Sequence, residues 1–138
     1  MLERSLIAAG LIVLGVVGYL VVRRLQLRRL QTDGSAAVPG LEEFVGGIPA
    51  ILYFTTPDCV PCKTVQRPAV DRVRGEYEDS LQIIEVDANA RPDVAAHWRV
   101  LSVPTTFILD RSGAPQHVNH GVTREKQLRK QIADVAAD

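Results

Sequence analysis

The stretch Ile48 to Cys62, IPAILYFTTPDCVPC, decides the fold. Its first part, Ile48 to Thr56, is a continuous apolar run rich in β-formers, the mark of a strand buried on both faces. Its second part holds the only two cysteines of the chain, Cys59 and Cys62. Helical periodicity follows from about Val60 to Tyr77, and Pro68 is expected to kink that helix. The Cys-Val-Pro-Cys tetrapeptide therefore stands where a strand hands over to a helix. Cys59 falls at the helix N-terminus, where unsatisfied backbone N–H groups and the macrodipole favour a thiolate. Cys62, one turn deeper, is the shielded thiol that resolves a mixed disulfide. Pro61 suits the first turn because it brings no N–H of its own.

Two thiols at this spacing either close on each other or hold a metal together. Structural zinc needs about four ligands, and the chain has no third cysteine and only three histidines, His97, His117 and His120. His117 and His120 differ by three along an expected strand and so face opposite sides. Thiol–disulfide exchange is the leading reading; a metal-binding module stays as an alternative, with no metal ligand set or cofactor assigned.

Outward from this stretch the pattern is regular. Leu41 to Gly46 reads as a short helical turn, and Leu81 to Asp87 as a second buried strand. Pro92 to Trp98 reads as a helix with proline in its first turn, and Trp98 as core or groove wall. Pro104 to Asp110 gives a third strand, and the turn Asp110-Arg111-Ser112-Gly113 leads into a fourth, roughly Pro115 to His120. Thr123 caps a last amphipathic helix with Leu128, Ile132 and Val135 on one face. The order β-α-β-α-β-β-α, parallel strands first and an antiparallel hairpin last, predicts an α/β sheet with helices on both faces.

The 138 residues, 46% hydrophobic, suit one compact domain plus an appendage. Leu6 to Val22 is apolar or glycine throughout, about 25 Å as a helix and the short end of what spans a bilayer. Arg23-Arg24 and Arg28-Arg29 follow it, a poor setting for signal cleavage, so a retained single-pass anchor is expected over a cleaved leader. The four arginines predict a cytoplasmic body by the positive-inside rule; they also suit anionic lipid headgroups. Formal net charge is zero, with five basic against two acidic residues in 1–40 and eleven against fourteen beyond. No basic patch suggests nucleic acid. The domain plan is an anchor with basic flank over 1–31, a linker over 32–40 and a globular domain over 41–138.

The segment FTTPDCVPCK, Phe54 to Lys63, followed by Val103-Pro104-Thr105, resembles the thioredoxin family, as do Asp110, Gly113 and Gly121 at family spacings. The resemblance implies a thioredoxin-like fold, a central mixed sheet flanked by helices, with Cys59 as nucleophile and Cys62 as resolving cysteine. It makes Pro104 a cis-proline beside the disulfide and has Val103 present its backbone to substrate. Val60, Thr105 and Gly121 are placed in the substrate groove. Three positions depart from the family pattern. Asp58 stands where tryptophan is usual, and an acid there opposes thiolate formation. Tyr53 stands at the place of the buried aspartate that many members use as a proton relay. Glu85 occupies a position where lysine is common; it either supplies the buried acid from the neighbouring strand or sits in water.

The expected function is membrane-tethered thiol–disulfide exchange, most simply as a reductase. Its partners would be disulfide-containing protein substrates, membrane lipid, and an upstream donor, either thioredoxin reductase or a membrane thiol relay. Two alternatives stand beside it: extracytoplasmic exchange on exported proteins or apocytochromes, and a tethered binding module without turnover.

Overall fold

The computed structural model describes residues 10, 12–22 and 38–137 of the chain. The chain divides into two units, Met1–Ala36 and Ala37–Asp138. In the first unit, residue 10 and residues 12–22 are helical with exposed apolar side chains. The remainder of the expected Leu6–Val22 span lies outside the described residues. Among the described residues no helix is long and apolar enough to cross a membrane.

The second unit is built on a four-stranded mixed sheet. Strand β1, Ala50–Thr55, is buried at every position, as its unbroken apolar sequence requires. It pairs in parallel with β2, Gln82–Asp87, and antiparallel with β3, Thr105–Leu109. Strand β4, Pro115–His120, pairs antiparallel with β3, giving the order β2-β1-β3-β4. The helices are α1, Arg67–Tyr77, α2, Pro92–His97, and α3, Glu125–Ala136. The order of elements is the one read from the sequence. β2 differs in kind, however: it is an edge strand with alternating burial and Glu85 exposed.

Alternation along β1 splits the core in two. Leu52 and Phe54 face a cluster with Ile84, Val86, Val94, Phe107 and Leu109. Ile51 and Tyr53 face the other, with Val70 and Val73 of α1, Leu128 and Ile132 of α3, and Cys62. At about 25 cal/mol per Å² of apolar area, these two layers supply most of the drive to fold.

Residues 38–40 belong to the fold rather than to a linker. Val38 packs against the first cluster, and the Trp98 indole N–H donates to the Pro39 carbonyl at 2.7 Å. Gly40 has φ +90°, and a Cβ there would lie 2.7 Å from Val94 Cγ1, so only glycine fits. Trp98 also packs on Phe107 at 5.0 Å between ring centroids and is part of the core.

The helix after the tetrapeptide begins at Val60 and passes through a π-turn, Cys62–Gln66, before α1. Pro68 explains the irregularity. It has no N–H to give, and its ring crowds the carbonyl four residues back. The backbone answers by widening the preceding turn, so that the Arg67 N–H donates to the Cys62 carbonyl five residues back. The expected kink is realised as this wider turn.

Candidate active site

β1 ends at Thr55, a turn at Pro57 and Asp58 follows, and the Cys59 N–H donates to the Thr56 carbonyl at 3.2 Å. Cys59 and Cys62 form a disulfide, with Cα atoms 5.3 Å apart. Cys59 is half-buried, whereas Cys62 is 1% exposed. A substrate can therefore reach the first sulfur and not the second. The Cys62 N–H donates to Cys59 Sγ at 3.2 Å. This is one of the unsatisfied donors of the helix start, placed where it stabilises negative charge on that sulfur.

The loop before β3 closes over the pair. The Val103–Pro104 bond is cis, and Val103 packs, together with Cys59, against the cluster that contains Cys62 and Tyr53. Pro104 is buried, and its carbonyl accepts the Gly121 N–H at 2.9 Å. Gly121 has φ +82° and open space where a Cβ would stand. Its glycine is required by the backbone, and the space in front of it is left free. Three apolar side chains are exposed on these segments: Val60 on the helix start, Leu101 before the cis-proline and Val122 after Gly121. Pro61 and Asp58 are exposed beside them.

Thr105 is placed differently from the expectation, and Glu85 takes the second of its two readings, in water. Thr105 is fully buried and does not line a groove; its hydroxyl donates to the Ser102 carbonyl at 2.7 Å and ties down the loop before the cis-proline. Glu85 is not a buried acid. It pairs with Arg67 at 2.6 Å, and both side chains are more than 40% exposed. The cover runs out on this face of the edge strand: Ile83, on the same face as Glu85, is only half-buried, whereas Ile84 and Val86 on the other are buried.

The structure also gives Tyr53 a partner and brings in Gln66, which spacing did not single out. The Tyr53 hydroxyl, buried under the site, donates to the Cys62 carbonyl at 3.2 Å. Burial pushes its phenol up from the ordinary value, so it stays a neutral donor. Gln66, fully buried on the π-turn, makes a two-way clamp on Thr123. Its side-chain N–H donates to the Thr123 carbonyl at 3.1 Å, and its carbonyl oxygen accepts the Thr123 N–H at 2.8 Å. The clamp fixes the segment carrying Gly121 and Val122 to the helix of the cysteines. The signal for Gln66 was present: a polar residue four after Cys62, on the apolar face that continues at Val70 and Val73.

The thioredoxin family model matches residues 42–134. The chain belongs to the thioredoxin family. A thioredoxin of Porphyra purpurea is 34% identical over 89 residues, covering 62% of this chain and 82% of that protein. A thioredoxin of Pyropia yezoensis is 34% identical over 61 residues, 44% of this chain and 56% of its own length. The chain thus spans little more than half of some of the thioredoxins it matches. Among solved structures, a thioredoxin-like protein from Clostridium perfringens superposes with a TM-score of 0.60 at 28% identity, covering 72% of this chain and 79% of that one. The Mycobacterium tuberculosis protein DsbF superposes at 0.59 with 19% identity, covering 69% and 86%, a likeness of fold. A thioredoxin-family domain with a Cys59–Cys62 disulfide of the CxxC type supports thiol–disulfide oxidoreductase activity in general.

Proposed function

We propose that this chain is a membrane-tethered disulfide reductase acting on protein disulfides at the cytoplasmic face. The observation that carries the exchange chemistry is the asymmetry of the pair: one reachable sulfur under a helix-start N–H, joined to one buried sulfur. In the reduced protein the Cys59 thiolate attacks a substrate disulfide, forms a mixed disulfide and releases one substrate thiolate. Cys62 then loses its proton to solvent, and its thiolate attacks Cys59 Sγ. The intramolecular disulfide forms and the second substrate thiolate leaves. Two electrons pass to the substrate, and a donor, thioredoxin reductase or a membrane thiol relay, must return them.

The tether rests on the apolar run Leu6 to Val22 and the topology on the arginines behind it. The exposed apolar side chains of Val60, Leu101 and Val122 suit extended, unfolded polypeptide rather than a small polar disulfide. Insulin reduction by the full chain, lost in Cys59→Ser, tests the activity. A chain that binds insulin without reducing it would instead be a binding module. Labelling Cys59 in intact cells with a membrane-impermeant thiol reagent tests the side: protection supports a cytoplasmic body, and labelling would favour extracytoplasmic exchange.

A further inference from the structure

The Cys62 carbonyl is a junction of three elements. It accepts the Arg67 N–H from the end of the π-turn and the Tyr53 hydroxyl from β1. Arg67 in turn reaches across to Glu85 on β2, the residue in register with Tyr53. The buried cysteine is thus held from below by a neutral hydroxyl and flanked by an ion pair that is open to water. Resting on the exchange reading above, we propose that Tyr53 is the positioning residue of the resolving cysteine. It fixes Cys62 for attack on Cys59 Sγ without placing a negative charge beneath it.

Three features support this. Tyr53 is 1% exposed, and its ring fills the core between Cys62 and the sheet. Burial keeps the phenol protonated, so its donation to Cys62 holds across the working pH range. The charged groups that face it, Arg67, Glu85 and Asp71, are all exposed, where water screens them. A carboxylate in the place of Tyr53 would oppose formation of a Cys62 thiolate by like charge. A hydroxyl only orients it, and orientation of a nucleophile is worth a substantial factor in rate.

The test uses the reduced full chain and one equivalent of dithiobis(nitrobenzoate). Attack by Cys59 releases one nitrothiobenzoate and leaves the other in a mixed disulfide. Attack by Cys62 on Cys59 Sγ closes the protein disulfide and releases the second, so the two thiolates report the two steps. In Tyr53→Phe the first release should stay within about twofold and the second slow by roughly five- to tenfold, the scale of one net hydrogen bond. A second release at the parent rate, or equal slowing of both, overturns the inference. The parent protein gives an independent check should that variant fail to fold. The second release should rise with pH in a single step, unchanged in Glu85→Gln. An additional step in the carboxylate range that Glu85→Gln removes would restore an acid relay and overturn it equally. If no first release is seen, or Cys59→Ser leaves it intact, the exchange reading itself fails.

Discussion

The Gln66–Thr123 clamp links the helix of the cysteines to the far wall of the site, and Gln66→Leu isolates what it contributes. Leucine has a similar volume and keeps the core filled, so the change is close to a pure loss of two hydrogen bonds. Both partners left behind are main-chain groups of Thr123, a residue only 7% exposed, and water reaches them poorly. An unpaired buried donor or acceptor costs about 1–3 kcal/mol. With the added apolar contacts of leucine offsetting a part, the net loss should be about 2–4 kcal/mol. A small domain has about 5–15 kcal/mol in all. At a urea slope of about 2 kcal/mol per molar, the middle of the usual range, the unfolding midpoint should fall by roughly 1–2 M. Trp98 is the only tryptophan of the chain and packs on Phe107 inside the domain. Its fluorescence therefore reports unfolding of this unit in the full chain. The midpoint should fall and insulin reduction should fall with it under native conditions, because the segment of Gly121 and Val122 loses its anchor. A loss below about 1 kcal/mol, or one with full activity retained, would refute the reasoning that the clamp holds the groove wall.

Three further outcomes follow from the same structure. Asp58→Asn removes the charge next to the nucleophile and should raise the rate of attack by Cys59 roughly two- to threefold at low salt, the gain fading as salt screens the exposed carboxylate. Gly121→Ala imposes a side chain at φ +82°, costing about 1 kcal/mol; it should lower kcat/KM for a protein disulfide more than for a small one, because the new methyl enters the open space in front of Gly121. The Arg91 guanidinium, 2.9 Å from Glu42, holds that carboxyl at about 2 against an ordinary 4.5. A depressed folded value stabilises above the unfolded one and is lost as pH falls through about 4.5 toward 2. Both side chains are nearly half exposed, so the pair is worth under about 1 kcal/mol. Urea melts of Glu42→Gln and parent should differ by that much near neutrality and converge in acid.

Much of this was legible because it rests on local rules. The unbroken apolar run before the tetrapeptide specifies a central strand, and the strand-to-helix handover specifies which cysteine is reachable. The cis bond at Pro104 was implied by the family resemblance and is present; Gly121 was placed by the same resemblance for its open groove, and its positive φ appears only in the structure. The features that escaped are pairings across distance. Nothing in a linear pattern joins Gln66 to Thr123, 57 positions away, or aims Tyr53 at a carbonyl rather than into plain core. β2 reads as buried from its isoleucines and valine; its place at the sheet edge is a property of topology, and with it goes the exposure of Glu85. Thr105 was misplaced because β3 lies between β1 and β4 and is buried at every position, starting one residue past the cis-proline. Pro68 signalled a break in the helix but not its form, since a kink and a π-turn both relieve the same missing N–H.

The central claim is the division of labour between the two sulfurs, and trapping tests it most directly. Cys62→Ser should hold protein substrates as stable mixed disulfides through Cys59, released by dithiothreitol and identified by mass spectrometry of the linked peptides. Cys59→Ser should trap nothing, because Cys62 is buried beneath it. Adducts formed through Cys62 in Cys59→Ser, or none through Cys59 in Cys62→Ser, would contradict the account.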